Sequence, residues 1–297
     1  MTVRALTSLL IMAATLVMSG CTASHSAPEE MYTPDPNPRT HWELRHRVVD
    51  ASGLQVIGQH LAHREESTTV AVAASGITPA DECSVLVSEP GVGGPDNKVG
   101  DKISTTFDGH PAVRNGAGAE GDYLVWQLDD GSWAEVSCSA LGSRATIDRV
   151  AAAVAFEPTT IRIPVDVELP SGYRPASVDV DLSAPGSRVY LERTEPTSGP
   201  SDLLIMVGVR ELSPQPTGEP RRIGGRPALV HSDDVGAVVW VQQQDRWVYV
   251  GTVPSDTGPY PDRSNEIPVL EEIAESVSFP EDLAVPGTWF SAENVFG

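Results

Sequence analysis

Two segments of this 297-residue chain repeat one another, and that repetition restricts the fold more than any other feature of the sequence. One reads HPAVRNGAGAEGDYLVWQLDDGSWAEVSC and the other RPALVHSDDVGAVVWVQQQDRWVYVGT. Aligned on Pro111-Ala112 and Pro227-Ala228, they bring Trp126 near Trp240 and Trp133 near Trp247, with a Trp-to-Trp spacing of seven in both. Each tryptophan pair brackets a polar turn, QLDDGSW or QQQDRW, between runs rich in valine and aromatic residues. Such runs favour strands, and Asp-Gly is a favoured hairpin turn. Aromatic residues that meet across a hairpin can seal one face of a sheet.

The segments downstream also match. IDRVAAAVAF (147–156) parallels LEEIAESVSF (270–279), so that Ile147, Val150, Ala151 and Val154 correspond to Leu270, Ile273, Ala274 and Val277. These positions follow the i, i+3, i+4, i+7 rule and predict an amphipathic helix closing each copy. A repeat of about 120 residues describes a duplicated domain rather than a solenoid, whose units are shorter. The expected fold class is therefore α+β: two tandem duplicated modules, each a curved antiparallel sheet with a packed C-terminal helix. The modules are expected at 41–157 and 158–282, joined through EPTTIRIPVDVELPSG (157–172) and followed by a tail at 283–297. SGLQVIGQHLAHREES reads as an extra helix ahead of the first sheet. The oily tail residues Trp289, Phe290 and Phe296, with Trp42 at the other end, are expected to dock back on the folded body. Between sheet and helix, Trp126, Trp133, Val150, Val154, Trp240, Trp247, Ile273 and Val277 form a candidate groove for an apolar ligand. The same side chains would serve a plain core equally well.

The chain opens with a different signal. Arg4 precedes an uncharged run from Ala5 to Met18, too short to span a bilayer at roughly 20 apolar residues but suited to a secretory signal at 1–20. The run ends in Met18-Ser19-Gly20-Cys21, which resembles the lipobox of bacterial lipoproteins. That resemblance implies a diacylglyceryl group on the Cys21 thiol, cleavage just before it, and a chain anchored on the outer face of the cell membrane. Two acyl chains, at about 0.8 kcal/mol per buried CH₂, hold stably where one is marginal. Residues 21–40, rich in proline and small polar side chains, read as an extended tether. With Cys21 assigned to lipid, Cys83 and Cys138 remain, and in an oxidising compartment the pair predicts one disulfide.

The second half carries a further resemblance. LPSGYRPASV, RVYLER, the tryptophan hairpin and LEEIAESVSF, over residues 169–280, resemble an extracytoplasmic module of bacterial lipoproteins and membrane anti-sigma-factor proteins. That module begins LP-x-GY and ends in an IAESL-like helix, with Val277 here in place of the final Leu. The resemblance implies a structural module and transfers no catalytic residue. It also suggests the lipid-sensing architecture of some envelope stress regulators, in which a sheet curves round a helix.

Charge and motif content narrow the function. With 20 basic against 41 acidic residues the net charge is −21, a surface that repels nucleic acid. The sequence holds no G-x-S-x-G elbow, H-E-x-x-H pair, EF-hand loop or P-loop. The glycine-rich GVGGPDNKVG (91–100) lacks the Lys-Ser/Thr ending of a phosphate cradle and reads as a surface loop. His60 and His63 lack a third ligand at zinc spacing, so no metal or cofactor is expected. The expected protein is a non-enzymatic binding or sensing lipoprotein, partnered by the membrane and by an envelope protein or lipid; the alternative is a carrier of a lipid or small apolar ligand.

Overall fold

The computed structural model describes residues 39–297, apart from 50–52, 74–80, 99–100, 116–121, 140–143, 183–185, 196–204, 212–214, 234–235, 244–245 and 253–263. Cys21, the expected signal at 1–20 and nearly all of the expected tether lie outside the described residues.

Among the described residues, fourteen strands build the main sheet. In the first half these are β1 (Leu54–Ala62), β2 (Glu65–Val72), β3 (Asp81–Ser88), β4 (Lys102–Phe107), β5 (His110–Asn115), β6 (Tyr123–Gln127) and β7 (Trp133–Cys138). In the second half they are β8 (Tyr173–Asp181), β9 (Gly186–Arg193), β10 (Ile205–Glu211), β11 (Glu219–Ile223), β12 (Arg226–Ser232), β13 (Ala237–Gln243) and β14 (Arg246–Thr252). Helices α1 (Arg144–Ala152) and α2 (Ile267–Ser276) follow the two groups, and α3 (Ala292–Phe296) closes the chain.

Strand order is β11-β12-β13-β14-β10-β9-β8-β1-β2-β3-β7-β6-β5-β4, antiparallel at every step. This overturns the expected α+β pair of separate sheet-plus-helix modules. The protein is mostly β, and its two halves share one sheet. The joint is β1 against β8, with Ser177 opposite Ala62, Asp179 opposite His60 and Asp181 opposite Gly58. The physical reason is edge closure: β1 and β8 would each end a sheet with a row of unpaired N–H and C=O groups, and pairing them satisfies both rows.

Local sequence accounts for most elements. β2 alternates half-buried and buried positions along its whole length, and Glu66, Thr68, Val70 and Val72 face inward. Asp108-Gly109 and Gly224-Gly225 form the two-residue turns of the β4–β5 and β11–β12 hairpins. All four residues sit at positive φ, as a type I′ turn requires. The extra helix expected around residues 52–67 is replaced by the β1–β2 hairpin. A bulge between Val56 and Gly58 lets Leu54 and Leu61, seven apart, share one face and so imitate a helical spacing. Both expected closing helices stop early. Val154 leaves α1 for a short strand with Val48, and Val277 caps α2 in extended backbone.

Both helices cover the same sheet face. α1 packs on β6 and β7, over a core that includes Val85, Leu124, Trp126, Val136, Ile147 and Val150. α2 packs on β13 and β14, over a core that includes Val189, Val239, Val248, Leu270 and Ile273. The layer around α2 is completed from distant parts of the chain. Residues 43–44 pair with 159–160, and 162–163 with 290–291, which buries Trp42, Ile161, Ile163, Trp289 and Ala292. The tail thus docks on the body, with Trp42 edge-on to Phe296 at 5.4 Å.

Candidate functional site

Cys83 and Cys138 are joined in a disulfide between opposed residues of β3 and β7, buried beneath α1. The pairing expected from cysteine number alone is thus present.

The eight candidate groove residues do not form one site. Val150 and Ile273 are fully buried, Val277 nearly so, and each fills its own core. Trp126 and Val154 do line an opening, a pocket of about 370 Å³ at the end of α1 that Phe107 and Phe156 complete. There the Trp126 ring lies 4.9 Å from Phe107 and 6.3 Å from Phe156. Trp133 lies on the opposite sheet face and packs beside Gly94, whose turn leaves space for the indole. Trp240 and Trp247 also turn away from α2.

The parity of two hairpins explains this scatter. In the first, Trp133 pairs with Gln127, so it falls on the face that Trp126 does not use. In the second, Trp247 pairs with Gln242, which shares a face with Trp240. Equal spacing along the chain therefore gives opposite outcomes.

The face away from the helices carries the larger concavity, a groove of about 740 Å³ centred on the β1–β8 joint and the strands beside it. A single row of cross-strand neighbours runs through it, His60, Asp179, Arg188, Gly208, Tyr249 and Trp240, with Ser67 next on the row beyond the groove. Their chain neighbours Leu61, Val178, Val189, Val248 and Val239 sit in the α2 core, so strand alternation turns the row outward. His60 Nδ1 hydrogen-bonds the Asp179 carboxylate, and both side chains are more than a third exposed. Asp179 thereby turns its carboxylate toward His60, although it lies opposite Arg188. Arg188 makes no ion pair among the described residues. Tyr190 first, by a side-chain hydrogen bond, and then Tyr249 hold its guanidinium above its ordinary range.

Gly208 makes this arrangement possible. A Cβ there would fall 2.3 Å from the Tyr249 hydroxyl, so the tyrosine ring lies across bare backbone, between Trp240 and Arg188. Trp240 and Tyr249 meet with centroids 5.2 Å apart and planes tilted by 45°. The groove therefore has an aromatic end, a cationic middle and a polar His60–Asp179 end.

A second polar cluster lies on the helix side, near the meeting of the two cores. Glu66 is fully buried, accepts the Arg45 backbone N–H at 2.7 Å and has Arg45 and Arg39 guanidinium nitrogens at 3.6 and 3.8 Å. Burial, opposed by Glu66, holds the Arg39 guanidinium below its ordinary value. His46 places Nδ1 2.9 Å from Glu66 and Nε2 3.0 Å from the Thr68 hydroxyl. A carboxylate only accepts, so Nδ1 donates to Glu66, and the Thr68 hydroxyl pairs with Nε2 on the other side of the ring. Hydroxyl, imidazole and carboxylate stand in the order of a nucleophilic triad. All three are closed to solvent, at 1%, 0% and 0% exposure. A hydroxyl that no substrate can reach does structural work, and here the cluster ties residues 39–46 to β2.

No family model matches the chain, and no curated protein is significantly similar to it in sequence.

Of the outward row, only His60 and the tryptophan stand out in the sequence. Asp179 and Arg188 belong to alternating runs, VDVDL and SRVYLER, whose polar positions look like ordinary solvated faces. The available signal was Gly208, a glycine inside the strand run LLIMVGVREL, since such glycines mark close approach.

Proposed function

We propose that this chain is a lipid-anchored binding module on the extracytoplasmic face of the membrane, with the helix-free groove as its ligand site. The observation that carries the reading is Arg188, an exposed cation held by tyrosine hydroxyls and, among the described residues, by no carboxylate within ion-pair distance, on a protein of net charge −21. A guanidinium so presented is ready for an anionic partner. The groove volume falls within the range typical of small-molecule sites. The lipobox-like MSGC and the disulfide between Cys83 and Cys138 support an oxidising, membrane-attached location. The proposed role is binding rather than catalysis, because the hydroxyl–imidazole–carboxylate relay is sealed inside.

Two measurements test this. Radiolabelled palmitate should enter the wild-type protein and not Cys21→Ser, which should also leave the membrane fraction. Native mass spectrometry after mild extraction should show a bound small molecule in the wild type and not in Arg188→Met or Trp240→Leu. Equal ligand occupancy in all three would end the assignment to the groove.

The pocket of about 370 Å³ at the end of α1 favours a second reading, carriage of a small apolar ligand held by Phe107, Trp126, Val154 and Phe156. A bound mass lost in Phe156→Ser, and retained in Arg188→Met, would select it.

A further inference from the structure

We infer that the helix-free groove selects an acidic sugar, a pyranose ring bearing one carboxylate; this rests on the groove being the ligand site. Two adjacent features each exclude a simpler ligand, and a third sets its orientation. The Trp240–Tyr249 pair offers an aromatic surface with centroids 5.2 Å apart. A bare small anion would leave it unused, whereas the C–H face of a sugar ring packs on such rings. The row from Trp240 to Arg188 crosses Gly208, over which the Tyr249 ring lies with its hydroxyl on the way to the guanidinium. A ring lying over Trp240 and Tyr249 therefore points a substituent along the row at the guanidinium. A wholly apolar ligand would instead desolvate Arg188, His60 and Asp179 without replacing their water.

Beyond Arg188, the His60–Asp179 pair follows on the same row, and Thr69 lines the groove beside it. Together they supply donors and acceptors at the spacing of neighbouring strands, which suits several hydroxyl groups rather than one. Asp179 also sets a limit on charge. Its carboxylate stands one strand from Arg188, so a ligand bearing a second anionic group on that side meets repulsion. One carboxylate on a polyhydroxylated ring satisfies every position of the row.

The test is isothermal titration of the full folded chain with glucuronate, glucose and an N-acetylated, C-amidated aspartyl dipeptide. Glucuronate should bind at least about tenfold more tightly than glucose, the ratio expected for one charge-assisted bond. Arg188→Met should remove that preference, and Trp240→Leu should weaken both sugars by about tenfold while leaving their ratio intact. Arg188→Lys, which keeps the charge, should retain part of the preference, and unchanged thermal melts would show that each variant folds. Glucuronate no better than glucose, or a preference that survives Arg188→Met, overturns the inference. The dipeptide binding more tightly than glucuronate, in a manner sensitive to Arg188, overturns the sugar class and leaves the groove as the ligand site. Failure of all three probes, together with a native bound mass that no groove variant alters, removes both.

Discussion

At the scale of single residues, the least replaceable side chain is Glu66. It holds the Arg45 backbone, two guanidinium groups and the His46 ring inside a closed space. Glu66→Leu removes one charge and leaves its partners buried without it, so urea unfolding should show a loss of about 3–5 kcal/mol. Gly208 is critical in a different sense. Gly208→Ala places a methyl where the end of the Tyr249 ring now lies, and that ring can swing aside. The expected cost is only about 1 kcal/mol in unfolding experiments. Ligand occupancy by native mass spectrometry should fall sharply, because Arg188 loses its Tyr249 partner. Asp130 ties pH to the first tryptophan hairpin. Hydrogen bonds from the Ser132 hydroxyl and then the Ser132 N–H hold its carboxyl below the ordinary 3.8. The folded form therefore binds this proton less readily than the unfolded chain. The stabilisation is present above the ordinary value and fades as pH falls through the lower folded one. Asp130 is exposed, so the effect is small. Thermal melts of Asp130→Asn should sit slightly below wild type at neutral pH, and the two should converge as the pH falls through the lowered folded value.

At the scale of elements, the sequence made the two tryptophan hairpins and the cysteine pair legible, since turn residues and β-branched runs act locally. Reduction of the Cys83–Cys138 bond, which closes a separation of 55 residues, should cost about 4 kcal/mol. Chemical denaturation with and without a reductant measures it. Three element-level features escaped because each depends on register. The β1 strand imitated a helix through a bulge that brings Leu54 and Leu61 to one face. Val154 and Val277 continue the helical spacing of α1 and α2, yet both sit in extended backbone, where β-branched residues are at ease. The facing of Trp133 and Trp247 is set by which residue opposes each, Gln127 or Gln242. A one-residue difference there reverses the side of the sheet, and the intervening residue types carry little sign of it.

At the scale of the whole molecule, what could not be read was the pairing of β1 with β8. Ladder bonds between backbones have no side-chain signature, so two groups of strands look like two bodies. The outward row of the groove depends on that pairing, because His60 and Asp179 come from different halves of the chain. Chains 39–157 and 158–297 made separately should each expose an open edge, and the first would also lack the α2 core that receives Trp42 and Leu44. Both should elute as aggregates or unfolded chains in size-exclusion chromatography, with their far-ultraviolet strand signal reduced. Two stable monomers with intact strand content would contradict a single cooperative sheet.

The way residues 39–46 are fastened bears on how the protein answers mechanical load. Trp42 donates its backbone N–H to Glu293, its ring abuts Phe296, and Arg39 reaches both Ala62 and Glu66. A pull on this end is received by α3, β1 and β2 together, on the side of the sheet opposite the outward row. Tension along the chain should therefore strip the 39–46 segment first, while Arg188 and Trp240 keep their mutual spacing.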